Sequence, residues 1–339
     1  MSASDDASAP LPLSELIAEF SDKSILVIGD VMLDRFIWGS VDRISPEAPV
    51  PVVRVEKEDF YPGGAANVAR NLTPFAKDVY VCGLVGRDQE GDLLQGSLAK
   101  AGAICDNMVR DSDFATICKT RVIAQHQQIV RIDQERCRGL TSSQMDGVVS
   151  MVEAMAGQID GIILEDYAKG VINEEIVRRI SAVAVANDLV VTVDPNPKNP
   201  LPIQGVTAVK PNRKEAFEIA GIIDDDDSTD PLQNEPLLRV GEQLMEIWET
   251  PNVLITLGEQ GMVLFSEDDE NSPHHIPTRA KEVFDVSGAG DTAIALFTLA
   301  LSAGHSALLA AEIANHASSR VVGKLGTATV TPADFELDV

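Results

Sequence analysis

The chain has 339 residues, a formal net charge of −26 and a hydrophobic fraction of 45%. This charge excludes general binding to nucleic acid or to anionic membranes, because such a surface repels polyanions. The four cysteines (Cys82, Cys105, Cys118 and Cys137) form no CxxC pair, which predicts reduced thiols in a cytoplasmic protein and no metal cluster. Neither a basic leader nor an apolar run of about 20 residues occurs, so no signal peptide or membrane span is expected.

Short apolar runs with the length of buried strands alternate along the chain with helical patterns. The predicted strands are 24–29, 79–85, 161–164, 189–193, 206–209 and 253–257. The predicted helices are 65–75, 91–101, 142–156, 174–186 and 235–248. This alternation predicts an α/β fold with a mostly parallel sheet that helices cover on both faces. Ligands are then expected beyond the carboxyl ends of the strands.

Two segments interrupt the alternation and predict a small β-sheet that stands off the main sheet as a lid. Residues 36–55 are extended and interrupted by prolines, and residues 116–133 alternate as a hairpin does. We assign the lid to about 35–60 and 115–134. Exposed sheet edges tend to pair with a second copy, so the lid predicts a homodimer.

The remaining segments predict one main domain with short flanking pieces. Residues 1–21 are small, polar and acidic at their start and are expected to be a disordered or loosely ordered extension. The main domain spans 22–332, and residues 333–339 form a C-terminal tail.

A glycine-rich turn near the C-terminus predicts the chemistry. Gly288, Ala289 and Gly290 let the backbone turn tightly before an apolar helical pattern. The unpaired N–H groups at the start of that helix form an anion site. Asp291 at its edge would repel an anion, unless the anion is a phosphoryl group in transfer and Asp291 accepts the proton of an attacking hydroxyl. The turn therefore predicts a kinase that acts on an alcohol, and the alternative is a plain strand–turn–helix.

Two further polar turns predict a platform for a polyol. Asp30 and Asp34 follow the first strand, where carboxylates can accept hydrogen bonds from sugar hydroxyls. Gly63 and Gly64 open a helix whose first turn carries Asn67, and backbone N–H groups are expected to face the crevice there. The alternatives are a turn aspartate, a lid-edge aspartate and a simple helix start.

These motifs resemble those of a known family, the ribokinase-like (PfkB) carbohydrate kinases. Residues 63–67 (GGAAN) and 285–291 (DVSGAGD) resemble its two hallmark motifs. Residues 210–215 (KPNRKE) are similar to its Asn-x-x-Glu motif, and residues 256–261 (TLGEQG) to the turn that holds the nucleotide. The resemblance covers 22–332 and implies a three-layer α/β/α sandwich with a β lid.

The resemblance also implies the cofactors: ATP as phosphoryl donor, Mg²⁺ and, as a further candidate, K⁺. The residues that it assigns to the nucleotide side are Asn212, Glu215, Thr256, Gly258, Gly261 and Asp285. Of these, Glu215 is expected to hold Mg²⁺ through water, and Asp285 is the candidate for a monovalent cation.

Four segments narrow the range of sugars that are candidates for the substrate. Residues 29–35, 43–53, 127–133 and 166–170 are similar to those of the bacterial D-glycero-β-D-manno-heptose-7-phosphate kinases. The resemblance implies phosphorylation of this sugar phosphate at O1 in the cytoplasm, on the route to ADP-heptose and lipopolysaccharide. The His-x-Gly-His motif of the fused enzymes does not occur in the chain. A separate nucleotidyltransferase is therefore expected to act downstream.

A substrate that already carries a phosphate requires cations in the pocket of such an acidic protein. The candidates are Arg121, Arg131 and Lys169, from the second lid segment and a strand end. The alternative for each of them is an ordinary ion pair.

One departure from the family pattern leaves the acceptor open. Residues 194–197 read DPNP, where the fused enzymes have Asp-Pro-Lys-Gly. A cation near the substrate is then either absent or supplied by Lys198. The alternatives are kinases of the same fold that act on fructose, ribose, a nucleoside or another sugar phosphate. A non-catalytic sugar-binding protein is the alternative from another class.

Overall fold

A computed structural model of the chain describes residues 13–125, 127–226, 228–279, 288–323 and 329–338. The prediction for Asp285 therefore concerns a residue outside the described ranges. The strands of the described ranges are β1 (Ser24–Gly29), β2 (Val31–Ile44), β3 (Pro51–Gly64), β4 (Asp78–Cys82), β5 (Leu84–Gly86), β6 (Val109–Asp111), β7 (Cys118–Ala124), β8 (Gln127–Gln134), β9 (Gly161–Glu165), β10 (Val190–Asp194), β11 (Ala208–Val209), β12 (Asn252–Thr256), β13 (Met262–Ser266) and β14 (His274–Ile276). The α-helices are α1 (Leu13–Ala18), α2 (Ala65–Leu72), α3 (Gln89–Lys100), α4 (Ser142–Met155), α5 (Glu174–Ala186), α6 (Arg213–Ala220), α7 (Glu235–Trp248), α8 (Ala289–Ser302) and α9 (Ala307–Val322).

The central sheet has the strand order β14-β13-β12-β11-β10-β9-β1-β4. The six strands from β4 to β12 in this order run parallel. β13 pairs antiparallel with β12, and β14 pairs antiparallel with β13. β1 lies between β4 and β9, with Val27 opposite both Val81 and Ile163. All six residues of β1 are buried, as a central parallel strand requires. The predicted mostly parallel sheet is confirmed, while the antiparallel pair β13–β14 was not predicted.

Helices cover both faces of this sheet and give two hydrophobic cores. Side chains of β1 alternate between them: Ile25 and Val27 belong to the core with α2, α3, α8 and α9, and Leu26 and Ile28 to the core with α4, α5, α6 and α7. This alternation follows from the two-residue period of a strand. The three-layer α/β/α sandwich implied by the family resemblance is confirmed.

A second sheet, with the order β3-β2-β7-β8, forms the lid. β2 and β3 are long antiparallel strands joined by residues 45–50, and β7 and β8 form a hairpin whose first strand runs parallel to β2. β2 begins two residues after β1 ends, and β3 ends where α2 begins. The lid sheet therefore starts closer to the main sheet than the sequence pattern indicated.

The first described residues pack onto the main domain. Residues 13–21 of the predicted N-terminal extension, together with Asp22, form α1 and a 3₁₀ turn. Ile17 and Phe20 are buried in the same core as Phe335 near the other end of the chain. Within the described ranges, every helix is too short or too polar to cross a bilayer.

Candidate active site

Asp291 lies in the first turn of α8 with both carboxylate oxygens engaged. Its Oδ2 accepts a hydrogen bond from Asn67 Nδ2 at 2.6 Å, and its Oδ1 accepts one from the Tyr167 hydroxyl at 2.9 Å. Burial raises the pKa of Asp291, and these two hydrogen bonds oppose that rise because they stabilise the carboxylate. The result is a buried, oriented carboxylate that is more basic than an exposed aspartate.

The turn before α8 places backbone donors beside this carboxylate. Gly288 has a φ of 82°, a left-handed conformation that favours glycine. The first backbone bond of the helix runs from the Thr292 N–H to the Gly288 carbonyl at 3.0 Å. The N–H groups of Ala289, Gly290 and Asp291 have no acceptor within the helix, so they and the helix dipole are available to an anion.

The Gly63–Gly64 turn brings Asn67 to this point. Gly64 has a φ of 58°, and a Cβ there would lie 2.4 Å from the carbonyl oxygen of Asp30. A Cβ on Gly63 would lie 2.3 Å from Oδ2 of Asp34. Both positions therefore exclude a side chain, and their close packing lets α2 begin directly after β3. The helix then presents Asn67, which is buried, to Asp291.

Asp30 differs from its predicted place. Its side chain is 1% exposed, and its oxygens accept hydrogen bonds from the backbone N–H groups of Tyr167 (3.0 Å), Lys169 (2.8 Å) and Val171 (3.0 Å). The prediction that Asp30 accepts hydrogen bonds from sugar hydroxyls is corrected, because the carboxylate is directed into the loop after β9. Asp30 instead fixes the loop that carries Tyr167.

The predicted phosphate-binding cations lie on the lid and at its edge, and each is paired with a carboxylate. The pairs are Arg121 with Asp34, Arg131 with Asp133 and Lys169 with Glu135. Asp34 is therefore held by a lid arginine beside Gly63. The ion-pair alternative describes the three cations in this structure.

A cavity of about 730 Å³ opens on the other side of Asp291, beyond the carboxyl ends of β9, β10, β11 and β12. The predicted site residues that line it are Asn212, Glu215, Thr256, Gly258, Gly261, Ala289, Gly290 and Asp291. The structure thus brings the predicted nucleotide-side residues of the described ranges together around one space. Its size is in the usual range for small-molecule sites.

The Asn-x-x-Glu motif has a local structural explanation. Asn212 Oδ1 accepts the N–H of Glu215 at 3.0 Å, and Glu215 Oε2 accepts the N–H of Asn212 at 2.9 Å. This reciprocal capping box starts α6, which the sequence analysis did not predict. The capping box uses only Oε2 of the Glu215 carboxylate, and Glu215 also lines the cavity.

Buried charged residues line this cavity that were not predicted as site residues from the sequence, among them Lys210 and Glu165. Lys210 is 3% exposed, and its Nζ lies 2.7 Å from Oδ2 of Asp194. Burial disfavours the charged form of Lys210, but Asp194 and Glu165 outweigh that effect and raise its pKa. The lysine that pairs with Asp194 is Lys210, whereas Lys198 is exposed. A Cβ on Gly290 would lie 3.5 Å from Lys210 Nζ, so this ammonium also borders the turn before α8.

Two carboxyl groups, Asp194 and Glu165, lie near Lys210, and burial favours their neutral forms. Burial raises the pKa of Asp194 to about 7, although Lys210 opposes the rise. Burial and the charge of Asp194 raise the pKa of Glu165 well above its usual range. Among the described residues, Glu165 Oε2 has no hydrogen-bond partner. Each of these acids ends a predicted apolar strand, and that position is the signal that could have identified them.

Tyr167 was also missed as a site residue, although it lies in one of the segments that resemble heptose-phosphate kinases. Burial and the charge of Asp291 raise its pKa well above the usual range, which keeps the phenol protonated as a donor. Nothing in the periodicity of the chain indicates that the loop after β9 folds back onto α8.

The comparisons with known proteins agree with this fold. Residues 22–334 match the family described as pfkB family carbohydrate kinase. The chain therefore belongs to this family, and it is a sugar kinase.

Among curated relatives, the chain is 39% identical over 320 residues to the bifunctional protein HldE of Desulfatibacillum aliphaticivorans, which covers 94% of this chain and 64% of that protein. It is 42% identical over 333 residues to the bifunctional protein HldE of Caulobacter vibrioides, with 98% and 65% covered. The chain thus spans slightly less than two thirds of the length of these relatives. In fold it is similar to the ribokinase of Arabidopsis thaliana solved with ribose and ATP, with a TM-score of 0.70, 17% identity and coverage of 93% and 98%.

The hydrogen bond from Tyr167 to Asp291 gives a test by pH. In Tyr167→Phe the carboxylate loses one donor, so its pKa should rise further. Activity that needs the carboxylate should then be lost at a higher pH on the acidic side of the kcat/KM profile. Tyr80→Phe, at the edge strand β4, is the matched control and should leave the profile unchanged. An acidic limb that does not move in Tyr167→Phe would contradict the role of this hydrogen bond.

Proposed function

We propose that this chain is an ATP-dependent kinase that phosphorylates D-glycero-β-D-manno-heptose 7-phosphate at O1 to give the 1,7-bisphosphate. The observation that carries the proposal is the position of Asp291, held by Asn67 and Tyr167 at the start of α8 between the lid and the 730 Å³ cavity. Relatives named bifunctional protein HldE, at about 40% identity, support the choice of sugar. A reaction that consumes ATP in this route belongs in the cytoplasm.

Asp291 is the proposed general base. The O1 hydroxyl gives its proton to the carboxylate, and its oxygen forms a bond to the γ-phosphorus of ATP while the bond to the leaving ADP oxygen breaks. The raised pKa of Asp291 favours this proton transfer because a more basic carboxylate binds the proton more strongly. Asn67 and Tyr167 orient the two oxygens, so the acceptor hydroxyl meets a fixed partner.

The backbone before α8 is the proposed anion hole. The predicted anion hole comprises the N–H groups of Gly288, Ala289 and Gly290, and those of Ala289 and Gly290 have no acceptor within the helix. With the positive end of the helix dipole, they stabilise charge on the transferring phosphoryl group. The ammonium of Lys210 beside Gly290 adds a second positive charge. Because these groups are fixed by the fold, little reorganisation accompanies the transfer.

The cavity is the proposed ATP site, with the nucleotide near the turn after β12. Gly261 has a φ of 89°, and a Cβ there would lie 2.1 Å from the carbonyl oxygen of Ile276. The Leu257 N–H bonds to the Gly261 carbonyl at 2.7 Å and closes the turn. Thr256 and Gly258 line the cavity beside this turn, where the nucleotide is proposed to lie.

The donor set fits a magnesium ion, because carboxylate oxygens suit this hard cation. Glu165, Asp194 and Glu215 line the cavity, and Glu165 Oε2 has no partner among the described residues. Within those residues, no three acidic, histidine or cysteine side chains form a ready metal cluster. We therefore assign Glu215, with Asn212, to an ion that keeps several waters. When bound, magnesium neutralises charge on the phosphates.

The acceptor assignment is tested with a coupled ADP-release assay across a panel of acceptors. We expect the highest kcat/KM with D-glycero-β-D-manno-heptose 7-phosphate, compared with ribose, fructose, fructose phosphates and nucleosides. A higher value with any of these others would exclude the heptose assignment and leave a sugar kinase of different specificity.

The base assignment is tested with Asp291→Asn. The amide cannot accept the proton, so kcat should fall by about 10²–10⁴-fold. ATP binding, measured by calorimetry, should change little because asparagine keeps the size of the side chain and the backbone of the turn. Asp146→Asn is a control on the surface of α4, where the carboxylate pairs only with Arg179 among the described residues. Activity of Asp291→Asn close to that of the parent would show that another group takes the proton.

We also propose a homodimer formed through the lid sheet. β8 is an edge strand whose residues are all exposed, and the lid carries a set of exposed apolar side chains. These are Trp38, Ile44, Val50, Val55, Ile129, Val130 and Ile132. Edge strands with exposed apolar side chains favour pairing with another copy.

The dimer is tested by light scattering at micromolar concentration, where the parent chain should have twice the monomer mass. Val130→Asp with Ile132→Asp places two charges on the edge strand and should give a monomer. Val185→Asp is the matched control, since Val185 is exposed on α5 away from the lid. A monomeric parent chain would rule out the dimer.

A further inference from the structure

Asn199 lies where two loops of the site meet, and the sequence analysis did not single it out. One loop follows β9 and carries Tyr167, and the other follows β10 and departs from the family pattern at 194–197. The side-chain nitrogen of Asn199 donates to Oδ2 of Asp166 at 2.8 Å and to the carbonyl oxygen of Ile172 at 3.0 Å. Asn199 therefore ties the two loops together.

The loop that Asn199 holds turns sharply directly after Tyr167. Ala168 has a φ of 54°, a left-handed conformation that is unfavourable for a residue with a side chain. Oδ1 of Asp166 accepts the N–H of Ala168 at 2.7 Å and so stabilises the turn. One oxygen of Asp166 thus holds the strained turn, and the other is held by Asn199.

The same loop is fixed from two other sides. Asp30 accepts its backbone N–H groups from the side of β1. Gly170 packs closely on the segment after β8, where a Cβ would lie 2.8 Å from the backbone nitrogen of Gly139. Asn199 adds the contact from the cavity side, because Pro195 and Asn196 of its loop line the 730 Å³ cavity.

The contacts of Asn199 fit a positioning role rather than direct contact with a substrate. The amide nitrogen has two hydrogens, and Asp166 and Ile172 supply an acceptor for each. Asp166 is 5% exposed, so its hydrogen bonds are shielded from water and contribute more than exposed ones.

We propose that Asn199 is a positioning residue for the catalytic carboxylate. It acts through Asp166, which holds the turn at Ala168, and this turn sets the direction of the Tyr167 hydroxyl that donates to Asp291 at 2.9 Å. This inference deepens the proposed function and rests on it, because it adds a residue that orients the same proposed base. The loop beside the proposed donor cavity and the orientation of the base are then joined by one side chain.

The first test needs no activity and uses the three tyrosines of the chain as probes. In protein labelled with ring-fluorinated tyrosine, the fluorine resonance of Tyr167 is assigned by its absence in Tyr167→Phe. Asn199→Ala should shift or broaden this resonance and leave those of Tyr61 and Tyr80 in place, because these tyrosines lie on β3 and β4. Asn187→Ala, at an exposed asparagine whose amide also donates to a backbone carbonyl, is the matched control and should move none of them. An unmoved Tyr167 resonance in Asn199→Ala would overturn the proposal.

The second test is a double-mutant comparison with the acceptor that the parent enzyme prefers. Asn199→Ala should lower kcat about 3- to 10-fold, as expected for one hydrogen bond, with KM for both substrates close to the parent values. In Tyr167→Phe the same substitution should cause little further loss, because the hydroxyl that it positions is already absent. Losses that multiply in the double variant would contradict the route through Tyr167.

The two tests separate this inference from the proposed function. Since the resonance test needs no acceptor, failure of the heptose assignment leaves its result valid. If Asp291→Asn stays active while Asn199→Ala moves the Tyr167 resonance, the base assignment and the catalytic role of Asn199 both fail, and the contact between the loops stands.

A second variant guards against a failure to fold. Asn199→Ser has a single hydroxyl donor, which cannot serve both acceptors of the asparagine amide. It should change the Tyr167 resonance and lower kcat, with thermal unfolding close to that of the parent. If Asn199→Ala does not fold, the decision rests on Asn199→Ser, where an unmoved resonance and an unchanged kcat would overturn the proposal.

Discussion

The buried carboxylate of Asp291 is the point on which the rest of the structure depends. Its two hydrogen bonds join three segments that are far apart in the chain: α2 through Asn67, the loop after β9 through Tyr167, and α8 itself. Each segment is fixed in turn, α2 by the Gly63–Gly64 turn and the loop by Asp30. A buried carboxylate is unfavourable unless its oxygens are hydrogen-bonded. The contacts that stabilise Asp291 in the fold are therefore the same contacts that orient it in the site.

The lid and the cavity lie on two sides of Asp291 and differ in their residues. The cavity side holds several carboxyl groups and the buried Lys210, and it is the proposed donor site. The lid side carries arginines that are paired with carboxylates, and it is the proposed acceptor site.

Local patterns allowed much of this to be predicted, and tertiary contacts explain what was missed. The parallel strands read as apolar runs because they are buried on both faces, and the turn before α8 was identified from its glycines. Asp30 was misassigned because a carboxylate after a strand can face either a crevice or a neighbouring loop. Tyr167 gave no local signal, since its importance arises from the contact of the loop after β9 with Asp291 of α8.

The junction between β3 and α2 has a mechanical consequence. A lid strand and the helix that carries Asn67 form one uninterrupted segment, and the two glycines at the junction pack in contact with Asp30 and Asp34. A tilt of β3 would therefore also move α2 and Asn67, which orients Asp291. Closure over an acceptor and alignment of the carboxylate are then coupled. For the proposed kinase, such coupling would limit transfer of the phosphoryl group to water when the sugar is absent.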